Sequence, residues 1–336
     1  MLRKASVVIP DIFVGFAEPL REVLKAHDYV LREFHTDTGL SRMDLDEAIA
    51  DAEILVICVD RITQEVLESA RSLRLLVKLG AGLDNIDLQA ATEKRIPVLY
   101  TPGANATSVA ELSVGLMFSL ARHIPLQDRR AKLGEWRLQL GVQLRGKTLG
   151  VIGLGRIGQE VATICKAIGM KVIATDPEWP SEFADFHQIV RVSLHDLLKE
   201  SDFVSVHVPL SSSTERLIGH HEFKLMKRSA FLINTSRGRV VDEDALYECL
   251  RSGAIAGAAM DTFAEEPPRT RRLLLLDNFI ATSHIGGSTD GAITAVIAAA
   301  KEGITDLIRG EKPKSLANPA CWDIWFREEW PKLAQR

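Results

Sequence analysis

The chain has 336 residues, 46% of them hydrophobic and 26% charged, with a formal net charge of −4. That length suits one large domain or, better, two with separate cores, and the slightly acidic balance lacks the basic footprint of a nucleic-acid binder. No run approaches the ~20 apolar residues of a membrane span, and the opening MLRKASVVIPD has too short an apolar stretch for a secretory signal. Cys58, Cys165, Cys249 and Cys321 are scattered, with no CxxC pair and no His at ligand spacing. Buried free thiols in a reducing compartment are therefore expected, not disulfides or zinc. The reading is a cytoplasmic protein with no metal, nucleic-acid or membrane partner.

Short apolar runs alternate with amphipathic segments along the whole chain. The strands read as ASVVIP, AEILVICV, LRLLVKLG, IPVLY, TLGVIGLG, MKVIATD, DFVSVHV, AFLINTS, AGAAMD and FIATSH. Helical patterns such as LREVLKAH, ITQEVLESARS, GQEVATICKAIG and DEDALYECLRSGA lie between them. Strands that are short, β-branched and apolar on both faces are those of parallel sheets covered on both sides. The pattern predicts an α/β protein of doubly wound parallel sheets.

Ten strands are too many for one such sheet. Two crossings divide the chain. The first is LYTPGANATSVAEL, where Pro102-Gly103 interrupts the pattern and Asn105 or Thr107 can cap a long helix. That helix, SVAELSVGLMFSLARHI, is apolar over most of its surface and needs cover on more than one side, as a core helix, a homodimer interface or both. The second crossing is SHIGGSTDGA. The resulting expectation is an outer, substrate-binding domain of residues 1–101 and 285–336, interrupted by a dinucleotide-binding domain of residues 102–284. The tail CWDIWFREEWPKLAQR, with Trp322, Trp325 and Trp330, is expected to pack on the outer domain or on a partner subunit.

TLGVIGLGRIGQEVATICKAIGMKVIATDP contains Gly153-x-Gly155-x-x-Gly158 after an apolar strand and at the start of an amphipathic helix. In that context the motif is a dinucleotide fingerprint. Gly153 permits the tight turn, Gly155 leaves room for a pyrophosphate, and Gly158 lets helix and strand approach. The helix N-terminus offers free N–H groups and partial positive charge. Asp176 ends the next strand, 18 residues beyond Gly158. A carboxylate there binds ribose hydroxyls and repels a 2′-phosphate, which selects NAD over NADP.

Ligands of doubly wound sheets collect at the carboxyl ends of strands. Arg237 follows FLINTS, Glu266 lies in AEEPP after AGAAMDTF, and His284 follows FIATS. Arg237 can hold a carboxylate bidentately. His284 can take a hydroxyl proton as hydride leaves the carbon, and return it in reverse. Glu266, if it meets the imidazole, orients it and stabilises its protonated form. A hydride-transfer site is the expectation.

The sequence resembles the D-isomer-specific 2-hydroxyacid dehydrogenase family over nearly its whole length. The resemblance is carried by KLGAGLDNID (78–87), NATSVAEL (105–112), GLGRIG (153–158), VHVPL (206–210), NTSRGRVVDEDAL (234–246), DTFAEEP (261–267) and HIGGST (284–289). It implies a Rossmann domain inserted into a discontinuous flavodoxin-like domain, and a catalytic set on Arg237, Glu266 and His284. It also implies NAD contacts at Gly153, Gly155, Arg156, Ile157, Gly158, Asp176, His207, Pro209, Thr235, Asp261 and Gly286, with the Asp261 side chain near the nicotinamide amide. Substrate carboxylate binding by backbone N–H groups falls on Gly80, Ala81 and Gly82, in a glycine turn after the strand LRLLVK, where amides can face a cleft.

Phosphoglycerate dehydrogenases of the family carry an Arg-Ser pair where this chain has Cys58 and Val59, neither of which binds phosphate. Ser283 stands where proline is common before the catalytic His. The expectation is an NAD-dependent dehydrogenase for an unphosphorylated D-2-hydroxy acid and its 2-oxo acid. Phosphoglycerate oxidation proper and an NAD-sensing co-regulator of the same fold are the alternatives; AEEPP and SHIGGST speak against a formate enzyme.

Overall fold

A computed structural model describes residues 3–331 and divides into two compact units, Met1–Asn105 with Ser288–Arg336, and Ala106–Gly287. The first unit contains β1 (Arg3–Ile9), β2 (Tyr29–His35), β3 (Ile54–Ile57), β4 (Leu75–Lys78) and β5 (Val98–Leu99). They form one parallel sheet in the order β2-β1-β3-β4-β5, which is the flavodoxin-like order. Every residue of β3 and β4 is buried, because helices cover both faces. β2 is the exception. Its burial alternates along the strand, as expected of an edge that water reaches, and its polar YVLREFH does not stand out as an apolar run.

The second unit contains β6 (Thr148–Ile152), β7 (Lys171–Thr175), β8 (Val190–Arg191), β9 (Phe203–Val206), β10 (Phe231–Asn234), β11 (Gly257–Met260) and β12 (Phe279–Ala281). Their order, β12-β11-β10-β9-β6-β7-β8, is all parallel. Read from β8, it is the Rossmann order with one further strand. The order reverses between β6 and β9, which pair Leu149 with Phe203 through Ile152 with Val206. The crevice outside that pair is where a dinucleotide belongs.

The helix Ala106–Ala121 buries ten of its residues, among them Val109, Met117 and Leu120. Among the described residues no single helix is long and apolar enough to cross a membrane. Trp322 and Trp325 pack into the core of the first unit beside β1, β3 and β4, and Trp325 Nε1 donates to the carbonyl of Arg74 at 3.1 Å. The described part of the tail thus packs on the first unit, while residues 332–336 lie outside the described residues. Cys165, Cys249 and Cys321 are buried free thiols, while Cys58 is half-buried.

Candidate active site

The glycine turn closes on the switch point. Gly153 has φ 92°, and a Cβ there would lie 2.8 Å from the carbonyl of His207 at the end of β9. A Cβ on Gly158 would lie 2.1 Å from the carbonyl oxygen of Gly153, so only glycine lets the helix Arg156–Ala167 start this close to β6. Gly155 differs: a Cβ would meet nothing within 4 Å. Its missing side chain leaves open space beside a helix N-terminus that has no side-chain cap, a place shaped for an anion.

Asp176 follows β7 and is fixed by two amides, accepting from Leu154 N at 2.6 Å and Glu178 N at 2.7 Å. It thereby joins the glycine turn to the end of β7, where an adenosine ribose would sit. His207 has part of its surface exposed, but its Nδ1 is enclosed and has no hydrogen-bond partner among the described residues. Its Nε2 lies 2.8 Å from Ser205 Oγ, and burial pushes the imidazole down to about 3. Thr235 is buried, 2.8 Å from Ser113 Oγ. Arg156 and Pro209 are exposed and Ile157 is half-buried at the rim. These residues fit a dinucleotide: a glycine-lined gap, a bare helix start and a carboxylate at the ribose position.

The three ionisable groups come together in the same unit. Asn234, fully buried at the end of β10, builds the turn that carries Arg237. Its Oδ1 accepts from Ser236 N at 3.1 Å and Ser236 Oγ at 2.7 Å, and its Nδ2 donates to the carbonyl of Arg237 at 2.9 Å. Glu266 Oε1 accepts from Phe263 N at 2.9 Å, and Glu266 Oε2 lies 2.8 Å from His284 Nδ1. Burial raises the pKa of Glu266, but the hydrogen bond and charge of His284, the Phe263 amide and the charge of Arg237 outweigh it and hold the carboxyl below its ordinary value.

His284 sits at φ 55°, a conformation that non-glycine residues rarely hold without help. The help comes from Asp261, at the end of β11. Its carbonyl accepts from His284 N at 2.8 Å. Its Oδ1 accepts from Thr282 Oγ1 at 2.6 Å and Ile285 N at 2.9 Å, and its Oδ2 accepts from Gly286 N at 2.9 Å. Both carboxylate oxygens expected near a nicotinamide amide are thus engaged by the His284 segment. Gly286 is buried, and its carbonyl accepts from Ser108 Oγ at 2.6 Å.

In the first unit, the turn after β4 departs from the expected row of three outward amides. Gly80 N donates to Oγ1 of the buried Thr101 at 2.9 Å, and Gly80 itself sits at φ 140°. Ala81 and Gly82 remain as the candidate donors. Lys78, only 8% exposed, closes β4, and its ammonium hydrogen-bonds the carbonyl of Cys58.

Residues 114–286 match the family described as D-isomer specific 2-hydroxyacid dehydrogenase, NAD binding domain. The chain is 44% identical over 290 residues to a D-3-phosphoglycerate dehydrogenase of Methanocaldococcus jannaschii, covering 85% of this chain and 55% of that one. It is 45% identical over 260 residues to a hydroxypyruvate reductase of Thermotoga maritima, covering 76% and 84%. The chain belongs to the D-isomer specific 2-hydroxyacid dehydrogenase family. It spans little more than half the length of the phosphoglycerate dehydrogenase it matches. The structure of D-lactate dehydrogenase from Aquifex aeolicus, complexed with NAD and lactic acid, superposes with TM-score 0.81 at 29% identity, over 93% of this chain and 99% of that one. The second unit accordingly contains the family's NAD-binding domain.

Sequence reasoning missed three residues that shape this family member's sites. Asn234 was visible only as a polar end to an apolar strand. Lys78 carried a stronger signal, a cation closing the otherwise apolar LLVK. Glu243 contacts the Glu266 loop across 21 residues, a distance no local pattern reports.

Proposed function

We propose that this chain is an NAD-dependent dehydrogenase interconverting an unphosphorylated D-2-hydroxy acid and its 2-oxo acid. The observation that carries the reading is the 2.8 Å contact of His284 with Glu266 under the charge of Arg237. Bound NAD supplies the hydride acceptor. A carboxylate at Nδ1 keeps a proton on that nitrogen, which leaves Nε2 to accept the substrate hydroxyl proton. Glu266 then stabilises the imidazolium. Arg237 pairs with the substrate carboxylate and orients C2. Asp176 takes the ribose hydroxyls and disfavours a 2′-phosphate.

The reading of an unphosphorylated substrate rests on Cys58 and Val59, which follow β3 and offer no anion site. A phosphorylated acid is the second reading, supported by the names of the relatives and by buried Lys78 nearby. A panel of 2-oxo acids with NADH, including hydroxypyruvate and 3-phosphohydroxypyruvate, separates the two by kcat/KM. His284→Ala and Arg237→Ala should each lower turnover on the preferred acid by at least about 10²-fold while NAD binding survives. NAD binding with no turnover on any acid would instead favour a co-regulator.

The proposal includes a homodimer through the helix Ala106–Ala121. Thr107, Glu111, Gly115 and Phe118 form an exposed stripe on it, and the later segment exposes Trp136, Leu138 and Leu140 almost completely. Sedimentation equilibrium showing a monomer at micromolar concentration would remove that part.

A further inference from the structure

We propose that Glu243 is a positioning residue for the Glu266–His284 pair, acting through the loop that carries Glu266. Glu243 opens the helix Glu243–Ser252, whose start is fixed by Asp242 Oδ1 accepting from Asp244 N at 3.0 Å and Ala245 N at 3.1 Å. From this anchored position Glu243 Oε1 accepts from Ala264 N at 2.6 Å. The preceding amide, Phe263 N, is held by Glu266 Oε1 at 2.9 Å. Two successive amides of one loop are therefore held by two carboxylates, one of them the partner of His284.

A second contact fixes the same loop from below. A Cβ on Gly238 would lie 2.0 Å from the Phe263 carbonyl carbon and 2.3 Å from Ala264 N. The loop thus crosses directly on the backbone next to Arg237. Gly238 supplies the close approach and Glu243 supplies the bond that keeps it. Turn, helix start and Glu266 loop form one body that carries both the guanidinium and the carboxylate. Without the Glu243 bond, Ala264 N, on an exposed residue, turns to water. Glu266 then has to hold its loop and orient His284 with no outside support. Hydrogen bonds to charged acceptors are among the stronger ones, and a misplacement of about 1 Å at a reacting group costs up to about 10²-fold in rate.

This inference rests on the reading of His284 as the proton-transfer residue, and the test keeps the two apart. The full chain is compared with Glu243→Asp, Glu243→Ala, Glu243→Gln and His284→Ala. Aspartate keeps the charge at the helix start but is too short to reach Ala264, and so preserves folding if alanine does not. Glutamine keeps the acceptor. For the aspartate and alanine variants we expect reductive kcat to fall about ten- to hundred-fold, KM for NADH to stay within about twofold, and the acidic limb of kcat, set by Glu266 protonation, to move to higher pH. Glu243→Gln should recover most of the rate. In the NAD-free chain, the ¹⁵N resonances of the His284 ring should show less Nδ1–H tautomer in the aspartate variant than in wild type. Unchanged kcat and tautomer in folded Glu243→Asp would overturn the proposal, as would a loss that glutamine does not restore and that leaves the acidic limb in place. Near-normal turnover in His284→Ala would overturn the catalytic reading alone, with the tautomer still deciding the positioning.

Discussion

His284 Nδ1 and Glu266 Oε2 meet at 2.8 Å, although 17 residues and a strand separate them in the chain. The contact sets the imidazole tautomer, and so decides which nitrogen can work as a base. Glu266→Gln can keep the Phe263 bond through its oxygen, but it then presents an NH₂ to Nδ1. That favours a proton on Nε2 and removes the base. We expect kcat to fall about 10²–10⁴-fold with little change in NAD affinity. Steady-state kinetics with calorimetric NAD titration checks this. A rate near wild type would show that the carboxylate does not set the tautomer.

Two groups give stability a pH dependence in different windows. His207 is pushed down to about 3 by burial, whereas the unfolded chain binds that proton near pH 6.5. The unfolded state therefore holds more protons between those values, and stability falls as pH drops through that range. Glu266 is held below its ordinary value. Its contribution is complete above about pH 4.3, the unfolded value, and is lost as pH falls through the lower folded one. Solvent at this half-exposed pair keeps the effect small. Melting temperatures of His207→Gln should change less than those of wild type between pH 6.5 and 5, and Glu266→Gln should flatten the profile only below about pH 4.3. Parallel wild-type and His207→Gln curves from pH 6.5 to 5 would refute the His207 assignment.

The glycine motif, the strand-end positions of Arg237, Glu266 and His284, and the two-sheet architecture were legible because each leaves a local mark. An apolar run followed by Gly-x-Gly, or a charge at the end of a buried strand, needs no knowledge of distant contacts. β2 was lost because an edge strand alternates polar and apolar residues, and β8 because Val190–Arg191 is two residues long and exposed. The expected substrate cradle was narrowed by Thr101, which takes the Gly80 amide from a later strand end. The support of the site was not legible. Glu243 on Ala264 and Asp261 on the 282–286 segment are long-range pairings of common polar residues, and only the folded chain selects them.

The three glycines of the turn separate folding from binding. At Gly158 an added Cβ would collide with a backbone oxygen, and at Gly153 it would add a clash to a strained φ, whereas at Gly155 it would enter open space. Gly158→Ala should therefore lower stability by about 1–3 kcal/mol, visible as a drop in melting temperature. Gly155→Ala should leave the melting temperature nearly unchanged and weaken NAD binding by tenfold or more, since the methyl occupies the space meant for pyrophosphate. The assignment fails if Gly155→Ala binds NAD normally by calorimetry.

Asp261 sets the last expectation. Its oxygens accept three hydrogen bonds from residues 282, 285 and 286, and its backbone carbonyl a fourth from His284. Asparagine at 261 can keep the Thr282 and Ile285 bonds on its oxygen, but its NH₂ then faces the Gly286 N–H, donor against donor. One buried amide is left unsatisfied, at a cost of about 1–3 kcal/mol, and the segment carrying His284 loses one of its fixed ends. Asp261→Asn should lower the melting temperature and reduce kcat about tenfold or more, while NAD affinity changes little because the oxygens already serve the protein. Asp261→Ala frees all three donors and should be worse on both counts. Should Asp261→Asn instead weaken NAD binding at an unchanged melting temperature, the carboxylate serves the cofactor and not the loop.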